Sequence, residues 1–456
     1  MTSSRKSLSV PALIGCAVTV GILAGAGAAI FRSLINLMHN LFFFGEFSFF
    51  YTTDLHTLPS VWGAGIIFAP VLGGLVVTWL IENVSHEAKG HGVSEVMYAN
   101  HFHGGRIRPV VAFGKALTSA ISIGSGGSVG REGPIIQIGS ALGSAIGQII
   151  AMPAAQRTML VAAGGAAGLA ATFNAPLGGL LFALELLLVS VNETSISLVT
   201  ISTVVATFIG YFLFGMDPVL LVTPLPPLDY LSIFRMTLFF IPFGIFLGLA
   251  SALFIYLLCG LDDLFHAVFK NPYLRHSIGM FIVGVMFYLC MVFLGHYYIE
   301  GLGYALIFDT LKELLVNPWV LSFLFFSKLL ATCLTLGSGG TGGVFLPSLV
   351  LGAVFGAAYG QFFNALFPNV AIDASLFAVA GMAGMVGGTT GAVITAIVIV
   401  MEMTHDFYHI LPTMLTVAIA YSVRAAVCQE SIYTLRLFRR GVLLPRGLKA
   451  DISRPV

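Results

Sequence analysis

The centre of Lys115–Gly147 reads Gly124-Ser125-Gly126-Gly127-Ser128-Val129-Gly130-Arg131-Glu132-Gly133-Pro134. Sliding this stretch by 213 positions lays it on Lys328–Gly360, and 12 of the 33 residues are identical. The matches include Lys115 with Lys328, GSGG at 124–127 with GSGG at 337–340, Gly130 with Gly343 and Pro134 with Pro347. A weaker block, Ala163–Glu185, falls on Ala380–Glu402 at an offset of 217 and ends on glutamate both times. The chain is therefore two related halves. Interrupted apolar segments at corresponding places in two halves point to a transporter's binding site.

Composition puts both halves in a bilayer. Of 456 residues, 57% are hydrophobic and 9% charged, with a mean hydropathy of +0.97 and a formal net charge of +1. Soluble proteins carry about 25% charged residues. The deficit excludes an ordinary cytosolic enzyme and a disordered scaffold, and the balanced charge leaves no basic stripe for nucleic acid. Apolar stretches recur near 10–33, 61–81, 109–128, 134–151, 158–188, 197–215, 233–259, 277–296, 320–336, 347–366, 375–401 and 409–427. At roughly 20 apolar residues per crossing, about a dozen crossings are expected, several of them broken by Gly and Pro. No sizeable soluble domain fits between or after them. The scattered cysteines (Cys16, Cys259, Cys290, Cys333, Cys428) form no CxxC pair and read as buried packing. Arg5 and Lys6 before an apolar run imitate a signal peptide, but the run at 10–30 exceeds the usual core of about 7–15 residues, so it reads as a retained first helix.

Charge placement orients the halves. Arg5 and Lys6 at one end, and Arg436, Arg439, Arg440, Arg446, Lys449 and Arg454 at the other, mark both termini as cytoplasmic. No Lys or Arg lies between Arg157 and Arg235, and the Pro-rich linker at 216–229 carries only acids, which places it outside. Each half then crosses an odd number of times. The halves form an inverted repeat whose two glycine loops enter from opposite faces and meet near the midplane. The expected units are a cytoplasmic start at 1–9, a first membrane repeat at 10–215, an external linker at 216–232, a second repeat at 233–433 and a short basic tail at 434–456.

Irregular backbone at membrane depth is tolerated only where protein or a water-filled cavity satisfies its polar groups. Glycine lets the main chain approach a bound ion, and Pro134 suits a first helical turn. A helix therefore starts here, with free amides and a positive dipole end facing the loop. Gly343-Val344-Phe345-Leu346-Pro347 repeats the device. Two such helix starts attract an anion without a fixed positive side chain, whereas a cation site prefers carbonyl ends and paired carboxylates. Glu132 is an intramembrane carboxylate and a functional candidate by default. Among such amides it acts as a tethered anion that protonation releases, coupling proton to anion movement. The plainer alternative pairs it with Arg131 in a loop at the water interface.

GREGP at 130–134, GGVFLP at 342–347, FNAPLGGLLFALE at 173–185, and EMT at 402–404 followed by Ile410-Leu411-Pro412 resemble the CLC chloride channels and chloride/proton antiporters, from about residue 10 to Tyr433. The resemblance implies an all-α polytopic fold of two inverted repeats with broken, tilted helices, assembled as a homodimer with one pore per subunit. It implies that Glu132 is the external gate and proton carrier. It further implies that the amides of Val344 and Phe345 coordinate the central anion beside Tyr433, along an anion pathway of His91, Gly92, Gly130, Arg131, Gly133 and Gly343.

Three departures bear on these implications. The first anion loop, commonly GSGIP in the family, is here Gly90-His91-Gly92-Val93-Ser94, so His91 stands where a hydroxyl usually does. Its ring either donates to the anion or turns away and leaves only loop amides. The inner proton-transfer glutamate of many antiporters is Leu186. Few residues follow Tyr433, so the CBS domains of many eukaryotic members are not expected, nor nucleotide regulation through them; the chain looks like the compact prokaryotic exchangers.

Plainer readings cover the remaining residues. Glu185 and Glu402 end matched helices and suit hydrogen bonding to backbone. Lys115 and Lys328 suit holding loop carbonyls or tuning the field from a distance. Asn192-Glu193-Thr194 is a glycosylation sequon of a frequent chance type. A remote alternative sets Ser125 or Ser128 against His91 as an intramembrane serine hydrolase, without an orienting third group. The expectation is thus a chloride transporter, not an enzyme, with exchange favoured over passive conduction. It uses no cofactor and no metal, and its partners are the lipid bilayer and a second copy of itself, with no soluble protein partner. It resides in the cell inner or plasma membrane.

Overall fold

The computed structural model describes residues 7–216, 219–220, 230–368, 373–407 and 409–444. Residues 1–6 of the expected start at 1–9, most of the 216–232 linker and the tail from 445 onward lie outside the described residues. The first half comprises α1 (Val10–Phe44), α2 (Ala69–Asn83), α3 (Val93–Phe102), α4 (Val110–Gly124), α5 (Glu132–Ile149), α6 (Ala154–Phe173), α7 (Pro176–Phe182) and α8 (Glu193–Phe214). The second repeats this order as α9 (Tyr230–Val268), α10 (Pro272–Leu294), α11 (Tyr304–Leu311), α12 (Pro318–Gly337), α13 (Phe345–Leu366), α14 (Ala374–Thr390), α15 (Val393–Thr404) and α16 (Ile410–Val427), and α17 (Thr434–Arg439) follows.

Eight helical segments among the described residues are long and apolar enough to cross a bilayer, fewer than the dozen stretches suggested. Two of those stretches break. The run at 158–188 stops at Asn174, left-handed at φ 53°, before Pro176 opens α7. The run at 375–401 stops at Gly391, φ 81°, before α15. Hydropathy counts such runs as continuous, whereas a left-handed residue ends a helix whatever its neighbours' polarity. By contrast α1, with 35 residues, is about 52 Å long at 1.5 Å per residue and must lie tilted in a core about 30 Å thick.

Close backbone packing holds each half together. A Cβ at Gly139 or Gly143 of α5 would collide with the carbonyls of Gly164 and Leu160 on α6. One at Gly352 or Gly356 of α13 would collide with those of Gly381 and Phe377 on α14. Both are GxxxG pairs, the spacing that lets apolar helices touch main chain to main chain where no hydrophobic driving force acts between them. The five cysteines are unpaired, with Cys290, Cys333 and Cys428 buried.

Candidate functional site

The 213-residue offset builds the same turn twice. Gly126 (φ 103°) and Gly339 (φ 123°) adopt conformations that favour glycine. The Gly127 amide donates to Ser122 O at 2.9 Å, and the Gly340 amide to Thr335 O at 3.0 Å. The two loops then meet at equivalent residues. Gly130 N donates to Gly343 O (2.8 Å) and Gly343 N to Gly130 O (2.6 Å), so one reciprocal pair joins the halves.

The matched lysines, fully buried, brace these loops. Lys115 Nζ donates to Ala88 O (2.8 Å), Gly90 O (2.5 Å) and Thr341 Oγ1 (2.8 Å). Lys328 Nζ donates to Ile299 O (3.1 Å) and Gly301 O (3.0 Å). Holding carbonyls this way turns the loop amides to the other side. The glutamates form a second exchange between halves. Glu185 accepts from the amides of Ile394 (3.0 Å) and Thr395 (2.8 Å) at the start of α15. Glu402 accepts from those of Leu177 (3.0 Å) and Gly178 (2.7 Å) at the start of α7. Each carboxylate satisfies orphan amides at the positive end of the other half's helix.

Three helix starts, those of α3, α5 and α13, converge without a side-chain cap. Contact is direct at this point: a Cβ on Gly133 would collide with His91 O and press on Gly343 Cα, and one on Gly92 would press on Gly133 O. Glu132, the first residue of α5, is fully buried, its carboxylate folded against Gly130. The amides of Arg131, Glu132 itself and Leu346 face that carboxylate, close enough to act on it but not aligned as hydrogen bonds, and neither oxygen has a partner of ordinary geometry. The pairing with Arg131 does not form. That guanidinium donates to the Tyr304 hydroxyl (3.2 Å) and lies 5.2 Å from its ring centroid.

Tyr433 is 1% exposed and caps the start of α17, with its carbonyl accepting from Ser94 Oγ at 2.6 Å. Its ring lies 5.5 Å from that of His91, which is 4% exposed and has an unpartnered Nδ1. Val344 and Phe345 lie at the α13 start, with Phe345 packed on Phe173 at 5.6 Å. Leu186 lines a separate cavity of about 500 Å³ with Glu185, His101 and Glu430. The serines are engaged elsewhere, Ser125 Oγ with Ser122 O (3.3 Å) and Ser128 Oγ with Thr332 Oγ1 (3.3 Å), and neither bonds His91. Asn192 of the sequon caps α8 by accepting from Ser195 N at 2.9 Å. Among the described residues no group of three or more His, Cys, Asp and Glu is placed to hold a metal.

Sequence reasoning missed two residues here. Tyr304 was within reach, since the same offset carries Gly90-His91 onto Gly303-Tyr304, and both glycines have positive φ (80° and 87°). Arg436 was assigned only to orientation, and its place beside Gly90 depends on how α17 packs.

Residues 73–425 match the family described as "Voltage gated chloride channel". The H(+)/Cl(-) exchange transporter ClcA of Vibrio cholerae is 31% identical over 427 residues, covering 92% of this chain and 88% of the relative. Among solved structures, a slow cyanobacterial Cl⁻/H⁺ antiporter superposes with a TM-score of 0.80 at 24% identity, covering 95% of this chain and 99% of that one. A CLC-type fluoride/proton antiporter superposes at 0.75 and 22%, covering 93% and 97%. The two structural likenesses speak for the backbone alone, whereas the family match over most of the sequence and the relative aligned along nearly all of it make this chain a member of the voltage gated chloride channel family, an all-helical polytopic membrane protein of two inverted repeats.

Proposed function

We propose that this protein exchanges chloride for protons across the membrane, with Glu132 as both gate and proton carrier. The observation that carries this reading is the fully buried Glu132 carboxylate, unpartnered where the starts of α5 and α13 meet. An ionised carboxylate there occupies the place of an anion, supported by the same amides. Protonation removes its charge and its claim on them, and a chloride takes its place. The anion path runs from His91 and Gly92 past Tyr433 to Val344 and Phe345, then to Gly130, Arg131, Gly133 and Gly343. Lys115, Lys328, Glu185 and Glu402 hold the backbone that lines it.

In this reading repeats 10–215 and 233–433 flank an external linker, both termini are cytoplasmic, and the protein works as a homodimer in the plasma membrane with one pore per subunit. The basic residues Arg436, Arg439 and Arg440 support the orientation. The transported ions are its only ligands, with no cofactor. Reconstituted in liposomes, the protein is expected to drive protons uphill when given a chloride gradient. Chloride flux with no proton movement would overturn exchange in favour of a passive gated channel, the reading that Leu186 favours, because leucine cannot relay a proton.

A further inference from the structure

The last turns of α1 bury a polar cluster that the anion path does not use. His39 is 3% exposed, and its ring stacks on both Phe43 (centroids 4.5 Å apart) and Tyr51 (3.8 Å). Its Nε2 stands 3.2 Å from Thr57 Oγ1 and 3.8 Å from Glu300 Oε1. Thr57 spends its one hydroxyl proton on Glu300 Oε1, at 2.6 Å, so Nε2 must be the donor to Thr57. That sets the tautomer and leaves Nδ1, buried and without a partner among the described residues, as the free acceptor of the ring. Glu300 is nine-tenths buried, and its second oxygen, Oε2, is likewise unpartnered there. A proton on the imidazole therefore gains an adjacent carboxylate and two aromatic faces, neither of which rewards the neutral ring.

The surrounding elements leave Glu300 to His39. Tyr51 and His56 come from the 45–62 loop, Tyr297 from the segment after α10, and Tyr304 from α11, whereas α4 presents Ile123 and Gly124. His56 is paired with Asp309 at 2.7 Å, and Lys328 is held by the carbonyls of Ile299 and Gly301 on either side of Glu300. The cluster lines a cavity of about 40 Å³ that reaches Gly303 and Tyr304, room for about two or three waters. At one end His56 and Asp309 are 18% and 14% exposed. At the other, the Tyr304 hydroxyl accepts from Arg131, the neighbour of Glu132.

We propose that His39 and Glu300 form a proton-binding pair on the outer side of Glu132, through which protons from the external solution load that carboxylate. A proton joins His39 Nδ1, and Glu300 holds the resulting imidazolium. It then leaves Nδ1 for a Glu132 oxygen through cavity water and past the Tyr304 hydroxyl, which returns the ring to its neutral form. The outer placement follows from the proposed orientation, in which α1 starts at the cytoplasmic face and His39 lies near its far end. The inference rests on the exchange reading for its kinetic consequence but not for the binding pair itself.

Two measurements test it. In detergent-solubilised protein labelled with 15N-histidine, the imidazole signal that His39→Asn removes should titrate. Glu300→Gln should lower its midpoint by about one pH unit or more, the scale of one lost charge partner, and Glu300→Asp should recover most of that shift. In liposomes, His39→Asn and, independently, Glu300→Gln should each need roughly tenfold more external protons for the half-maximal rate of chloride-driven proton movement. A His39 signal that does not titrate, or whose midpoint is unmoved in Glu300→Gln, overturns the pair. An unchanged dependence on external pH in both variants overturns its role in loading. A titrating pair in a protein whose chloride flux moves no protons supports the site and refutes the exchange reading instead.

Discussion

Glu132 sits at the first position of a helix, where a carboxylate ordinarily stabilises the fold by facing free amides. Here it is buried without an aligned donor, an expensive state unless the site has a second occupant. Glu132→Gln keeps the shape and removes the titration, so proton movement should disappear from liposome assays while anion flux persists. Retained proton coupling in that variant would assign the carrier elsewhere. His91 poses a matter of selectivity. Its ring lies 5.5 Å from that of Tyr433, so His91→Ser should shift the chloride-to-nitrate permeability ratio by severalfold, on the scale of about 1 kcal/mol for one altered hydrogen bond. An unchanged ratio would mean that loop amides alone read the anion.

Helices carry the exchange between halves. Glu185 serves α15 and Glu402 serves α7, each through two amides. Glu402→Ala strips both acceptors from one helix start and should destabilise the folded protein by about 1–2 kcal/mol, read as a lower melting temperature in detergent. Gly352→Val places branched carbon against the Gly381 carbonyl and should cost about 1–3 kcal/mol or more by overpacking, visible as loss of folded yield. Much of this level was legible in the sequence: the repeated GSGG and the paired lysines recur at an offset of 213, and the paired glutamates at 217. The breaks at Asn174 and Gly391 were not legible, because hydropathy is blind to a single left-handed residue. Nor was the seat of Arg436, since the contact between α17 and Gly90 joins segments far apart in the chain and outside the repeat.

Across the described residues, the two halves pin each other at several places, among them the Gly130–Gly343 bridge, the crossed glutamate caps and the Lys115–Thr341 contact. Such crossing bonds make the central cradle rigid, so the mobile part of the proposed cycle is a side chain rather than a helix. The composition and the repetition indicated this architecture from the outset, but which side chain occupies the cradle depends on a rotamer, which no sequence pattern specifies. The most direct measurement is a structure of Glu132→Gln grown in bromide. An anomalous ion is expected in the place the carboxylate holds, bounded by Gly130 and the Leu346 amide, with the glutamine swung out. A glutamine still folded against Gly130, with bromide bound nowhere near the starts of α5 and α13, would contradict it.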